Sequence, residues 1–97
     1  MAGSANIGRR YAMFEAVHGS ADRMFAEGRA EYANPSSLLR AAAMLLVHIG
    51  LNEHAARLER TLDICLAEGA EIQTTGYRNG ATCREFGDYL METLKRT

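Results

Sequence analysis

Residues 34–50 read NPSSLLRAAAMLLVHIG, and the fold turns on this stretch. Asn34 can cap a helix with its side-chain oxygen, and Pro35 suits the first helical position, where its missing N–H is not needed. Leu38, Ala42, Leu45 and Ile49 follow as one stripe, while Met44 and Val47 cover other faces. The spacing predicts a helix apolar nearly all round, of the kind that lies deep inside a fold or against a partner. Gly50 closes it.

On the N-terminal side, Tyr11 to His18 is apolar apart from Glu15 and has no polar face. Its length and the Gly19-Ser20 stop predict a strand buried on both sides. Met1 to Arg10 is small and polar and reads as a loop. Ser20 to Ala33 has weak periodicity and reads as a long loop with room for a short helical turn; loops of this length in compact domains are usually functional.

On the C-terminal side, Asn52 can cap a second helix whose apolar face is Ala55, Leu58, Leu62, Cys65 and Leu66, stopped by Gly69. Glu71 to Thr75 is a candidate edge strand and Asn79-Gly80 a turn dipeptide. Thr82-Cys83-Arg84-Glu85 has capping-box spacing and opens a last helix through Phe86, Leu90 and Leu94. The expected fold is therefore α/β-derived and helix-rich: one buried N-terminal strand, a long loop, three helices and a short edge strand.

With 97 residues, 47% of them hydrophobic, the chain suits one small domain over residues 1–97 with one modest core. Eleven Lys and Arg against twelve Asp and Glu give a formal charge of −1, which argues against a strongly basic nucleic-acid binder. The longest apolar run, Ala41 to Val47, is far short of a membrane span, and Met1 to Arg10 lacks the order of a signal peptide. Two cysteines, Cys65 and Cys83, fit a reduced, cytoplasmic protein.

The first N–H groups of a helix are unpaired, so a helix start facing a polar loop is suited to an anion or nucleotide. Here the loop at His18-Gly19-Ser20 would face the helix start at Asn34-Pro35. Gly19 would admit close backbone approach, and Asn34 would offer donor and acceptor to an adenine edge; the plainer reading makes Asn34 a cap and Gly19 a strand end. His18 stands either as a donor to a cofactor or as a satisfied sheet-end histidine. His48 reads as packed and bonded to a carbonyl, His54 as solvated, and Arg9, Arg10, Arg23 and Arg29 as solvated among acids. No Cys/His pair has metal-ligand spacing, and no serine sits in a nucleophile elbow, so neither a metal site nor a catalytic residue is assigned.

Ser4-Ala5-Asn6-Ile7-Gly8, Tyr11 through Ala21 and Ala33-Asn34-Pro35-Ser36 resemble the cofactor-binding stretch of NAD(P)-dependent isocitrate dehydrogenases, which group with the isopropylmalate dehydrogenases. The likeness continues through Ala43–Gly50 to Asn79-Gly80-Ala81-Thr82. It implies the last part of a large α/β domain, with His18 and Gly19 on the adenosine side of the dinucleotide, Asn34 reading adenine, and Ser20 among the cofactor-binding residues. The family's substrate-binding serine and arginines, its catalytic tyrosine and lysine, and the aspartates that hold Mg or Mn lie in upstream segments with no counterpart here. The chain alone is therefore expected not to turn over isocitrate. It departs from the family at Asp22, where proline is usual, and at Ala26, where glycine is expected. Arg23 at the aligned position tilts the cofactor toward NADP over NAD, with Asp22 beside it weakening the case.

Two functions follow from this resemblance. In the first, the chain is a small non-catalytic binding protein derived from that segment, a protein-protein inhibitor or regulator from a mobile element; Met1 just before the Ser4 block and a capped helix at the end suit it. In the second, it is a fragment or subunit of an isocitrate dehydrogenase, active only with the missing part. Both predict a protein partner or homo-oligomer through Leu38, Met44 and Val47, because an uncovered apolar helix marks an interface.

Overall fold

A computed structural model of the chain describes residues 2–17 and 22–96. Gly3–Ile7 (β1) and Ala12–Ala16 (β2) form an antiparallel hairpin in which Gly3 faces Ala16 and Ile7 faces Ala12. The Gly8 N–H donates to the Tyr11 carbonyl at 2.8 Å and closes the connection. Two expectations are corrected here. The segment read as an entry loop contains β1, and the strand expected over Tyr11–His18 spans Ala12–Ala16 with only one face covered. Ala12, Phe14 and Ala16 are half-buried while Met13 and Glu15 are exposed. A two-stranded sheet backed by a helix on one side has no second layer to bury the other.

The long loop holds a short helix, α1 (Asp22–Ala26), and a 3-10 turn at Ala30–Tyr32. The three expected helices follow as α2 (Ser36–His48), α3 (Asn52–Leu66) and α4 (Cys83–Lys95). Gly50 ends α2 with φ +91°, its N–H donating to the Val47 carbonyl and the Leu51 N–H to that of Leu46 at 2.8 Å. Asn52 is the first residue of α3 and not its cap, which falls on Leu51 without a side-chain bond. The capping box of α4 is present: Glu85 N–H donates to Thr82 Oγ1 at 3.0 Å and Thr82 N–H to Glu85 Oε1 at 2.9 Å.

Glu71–Thr75 forms no strand. Its polar groups are used locally: the Gln73 amide donates to the Ala67 and Ala70 carbonyls, and the Gln73 carbonyl accepts from Ala81 N–H at 2.7 Å. Thr75 Oγ1 accepts from Tyr77 N–H and donates to Asn79 Oδ1 at 2.7 Å. A segment folded on itself in this way presents no extended edge for a ladder.

The core lies among the three long helices. Leu62, Cys65, Phe86 and Leu90 are buried together, with Leu39, Leu58, Leu66 and Tyr89 packed around them. Fully burying a large apolar side chain contributes roughly 1.5–3 kcal/mol. Arg40 fastens α2 to α3 through the carboxylates of Glu59 and, at 2.8 Å, Asp63. Burial works against its charge, but the hydrogen bonds to Asp63 and Glu59 outweigh it and raise the guanidinium above its ordinary pKa. Arg57 donates to the Leu94 carbonyl at 2.5 Å, tying α3 to the C-terminal end of α4.

Helix α2 does not bury the stripe most regular in the sequence. Ser36, Ser37, Ala41 and Ala43 are its buried residues, whereas Leu38, Leu45 and Ile49 are exposed, Leu38 and Ile49 at 59% each. Ala41 is buried by the close approach of the hairpin. A Cβ placed on Gly3 would stand 2.5 Å from the Ala41 nitrogen and 2.7 Å from its Cα, so strand and helix backbones nearly touch. Directly against Gly3 only a side chain as small as that of Ala41 fits.

Candidate functional site

Asn34 lies at the start of α2, one residue earlier in the helix frame than its sequence role suggested. Pro35 holds the cap position, and Asn34 Oδ1 accepts from Ser36 N–H at 2.9 Å. The side chain thus satisfies one of the helix's first donors, as a cap does, with its acceptor engaged. What it retains for a ligand is chiefly its pair of amide donors, not the donor and acceptor together.

The exit of β2 meets this helix start through Ser37. The hydroxyl accepts from Val17 N–H at 2.8 Å and donates to the Ala2 carbonyl at 2.5 Å. One buried oxygen therefore pins both ends of the hairpin to the first turn of α2. His18, Gly19 and Ser20, the remaining residues assigned to this site, lie outside the described residues.

Arg23 sits on α1 with its side chain 84% exposed, 3.0 Å from Glu27 one helical turn on. Glu27 also takes Arg29 at 3.4 Å. The hydrogen bonds from Arg29 first and Arg23 second hold the Glu27 carboxyl below its ordinary pKa. Arg29 is not the solvated residue the sequence suggested: its side chain is docked, donating to the Gly76 carbonyl at 2.6 Å with the guanidinium 4.3 Å from the Tyr77 ring centroid. This anchor joins residues 47 apart in sequence. Gly76 takes φ +80° at this tight turn, and its distance along the chain from Arg29 leaves no short-range pattern to announce the contact.

Of the expected interface residues, Leu38 and Val47 are exposed and Met44 is half-buried. They do not form one patch. Val47 stands nine positions after Leu38, which places them on opposite faces at 3.6 residues per turn. Met44 and Val47 line an apolar concavity of about 300 Å³ with Ala5, Ile7, Phe14 and His48. The His48 ring packs on Phe14 with centroids 5.5 Å apart, as a packed histidine would, although the residue as a whole is exposed. His54 is exposed as expected. No group of three or more His, Cys, Asp or Glu among the described residues is placed to hold a metal ion. No helix among them is long and apolar enough to cross a membrane.

The family model described as isocitrate/isopropylmalate dehydrogenase matches residues 1–90. The chain belongs to this family. Isocitrate dehydrogenase [NADP] of Rickettsia typhi is 52% identical over 98 residues, a match covering 97% of this chain and 20% of the relative. Isocitrate dehydrogenase [NAD] subunit 2, mitochondrial, of Kluyveromyces lactis is 38% identical, covering 94% of this chain and 24% of the relative. The isocitrate/homoisocitrate dehydrogenase of Thermus thermophilus is 38% identical, covering 98% and 27%. The chain thus spans about a fifth to a quarter of the length of the relatives it matches.

Proposed function

We propose that the chain supplies the adenosine-binding segment of an NAD(P)-dependent isocitrate dehydrogenase, with NADP the favoured cofactor, and contributes to oxidative decarboxylation of isocitrate only together with the rest of such an enzyme. The observation that carries this reading is the match of nearly the whole chain to one-fifth of NADP-dependent relatives. The Asn34 amide donors are suited to adenine acceptors. Exposed Arg23 on α1 is suited to the extra phosphate of NADP, in competition with Glu27. His18, Gly19 and Ser20 complete the proposed half-site by resemblance. When bound, the nicotinamide accepts the hydride. The base, the Mg or Mn ion and the substrate contacts belong to segments these residues do not include. A cytoplasmic location is part of the same reading.

The uncovered face of α2 supports a protein partner. Leu38, Leu45 and Ile49 form an apolar stripe in solvent, and burial of such a stripe is the usual fate of a helix of this composition. The remaining four-fifths of a related dehydrogenase is the partner this reading names, with a second copy of the chain as the competitor. The relatives lend no support to a separate inhibitor or regulator. Mixing the purified chain with the complementary portion of the Rickettsia typhi enzyme and following isocitrate-dependent NADPH formation tests the proposal. Activity is expected only in the mixture; activity of the chain alone, or none on mixing, refutes it.

A further inference from the structure

We infer that Ser37 is a positioning residue, fixing the spacing between the exit of β2 and the helix start that carries Asn34; this rests on the reading of Asn34 as an adenine contact. Ser37 is 1% exposed, and its single hydroxyl is used in both directions. It accepts from Val17 N–H, 20 residues away, and donates to the Ala2 carbonyl, 35 residues away. Three residues before it, Asn34 Oδ1 takes the Ser36 N–H. The first turn of α2 is thereby tied from both sides: to the hairpin through Ser37 and to its own entry through Asn34.

The residue type follows from the geometry. The hairpin backbone also meets α2 at Gly3 and Ala41, one turn on from Ser37, and Ser37 itself is almost fully buried between the two hairpin ends it bonds. Alanine fits but leaves the Val17 N–H and Ala2 carbonyl without this partner. Both residues are exposed overall, so water can replace the lost bonds and the chain retains its fold. What water cannot restore is the fixed distance between strand exit and helix start, and small misplacements of a binding group weaken a site steeply.

The test uses the full 97-residue chain, titrated with NADP by calorimetry at a temperature where every variant is folded. Ser37→Ala is expected to weaken binding by about tenfold, and the Asn34→Ala/Ser37→Ala double variant to bind little worse than Asn34→Ala alone, since coupled groups are not additive. Thr61→Ala removes an equally buried hydroxyl from α3; it is expected to lower the thermal midpoint and leave NADP affinity unchanged. Equal affinity of Ser37→Ala and the unaltered chain overturns the role of Ser37 while leaving the nucleotide reading standing. Equal weakening by Thr61→Ala also overturns it, because general destabilisation would then explain the loss. Absence of binding by the unaltered chain overturns the nucleotide reading, and the role of Ser37 with it.

Discussion

The Arg29 guanidinium lies over the Tyr77 ring, 4.3 Å from its centroid, while one of its N–H groups donates to the Gly76 carbonyl. This stack fixes the irregular segment between α3 and α4 to the connection that leads from β2 to Asn34. Arg29→Ala removes both contacts together with the pairing to Glu27 and is expected to cost about 1–2 kcal/mol in urea unfolding, since a partly desolvated cation–π pair contributes roughly 0.5–2 kcal/mol and a surface ion pair little more. Arg29→Lys keeps the charge but loses the planar stack and is expected to recover less than half of that. Faster proteolysis confined to residues 70–81 in Arg29→Ala would place the damage where the geometry does; uniform cleavage would not.

Two glycines should respond to alanine in opposite directions. At Gly3 the added Cβ meets the Ala41 backbone, which cannot rotate away, so hairpin and helix must separate. Overpacking of this kind costs typically about 1–3 kcal/mol. Gly87 lies within α4 with nothing within 4 Å of a Cβ. Gly87→Ala is expected to stabilise by about 0.5–1 kcal/mol, because alanine restricts the unfolded chain and favours the helix. Urea midpoints moving the same way for both variants would contradict the packing described.

The features legible in the sequence were those set by a few neighbouring residues. Thr82 and Glu85 announce the capping box because both partners lie in one turn, and Gly50 announces the end of α2 because it alone takes the left-handed conformation there cheaply. Strand β1 was hidden because Ser4 and Asn6 give a polar pattern; pairing with β2 and contact with Ala41 make it a strand. The face of α2 was hidden for the opposite reason. A helix apolar nearly all round offers several faces to bury, and the close approach of Gly3 makes Ala41 an inner position while Leu38 and Ile49 stay outside. At the site, the Asn34-Pro35 start was legible, whereas Ser37 and Arg29 act on residues 20 to 47 positions away.

That outward stripe leads to a prediction about association. If Leu38, Leu45 and Ile49 are a partner surface, the isolated chain has a tendency to self-associate at high micromolar concentration. Leu38→Lys with Ile49→Lys is expected to shift light-scattering mass to the monomer without lowering the unfolding free energy measured in urea by more than about 0.5 kcal/mol, the usual range for surface changes. A large stability loss would mean the stripe is buried after all, and an unchanged mass would assign association elsewhere.

Glu27 gives the chain a signature at acid pH. Its carboxyl is held below the ordinary glutamate value of 4.5 by Arg29 and Arg23, so the folded state binds its proton less readily than the unfolded state. Folding is then favoured by this group above the unfolded value and loses that contribution as pH falls through the folded one. Glu27→Gln, which cannot ionise, is expected to lie below the unaltered chain in thermal midpoint at pH 6–7 and to converge with it toward pH 3. The carboxylate is at the surface, so the gap should narrow on raising salt as well, in line with screened surface pairs. Parallel midpoint curves across the whole range would show that Glu27 is not paired with the two arginines in solution, and the anchoring of Arg29 would then rest on Gly76 and Tyr77 alone.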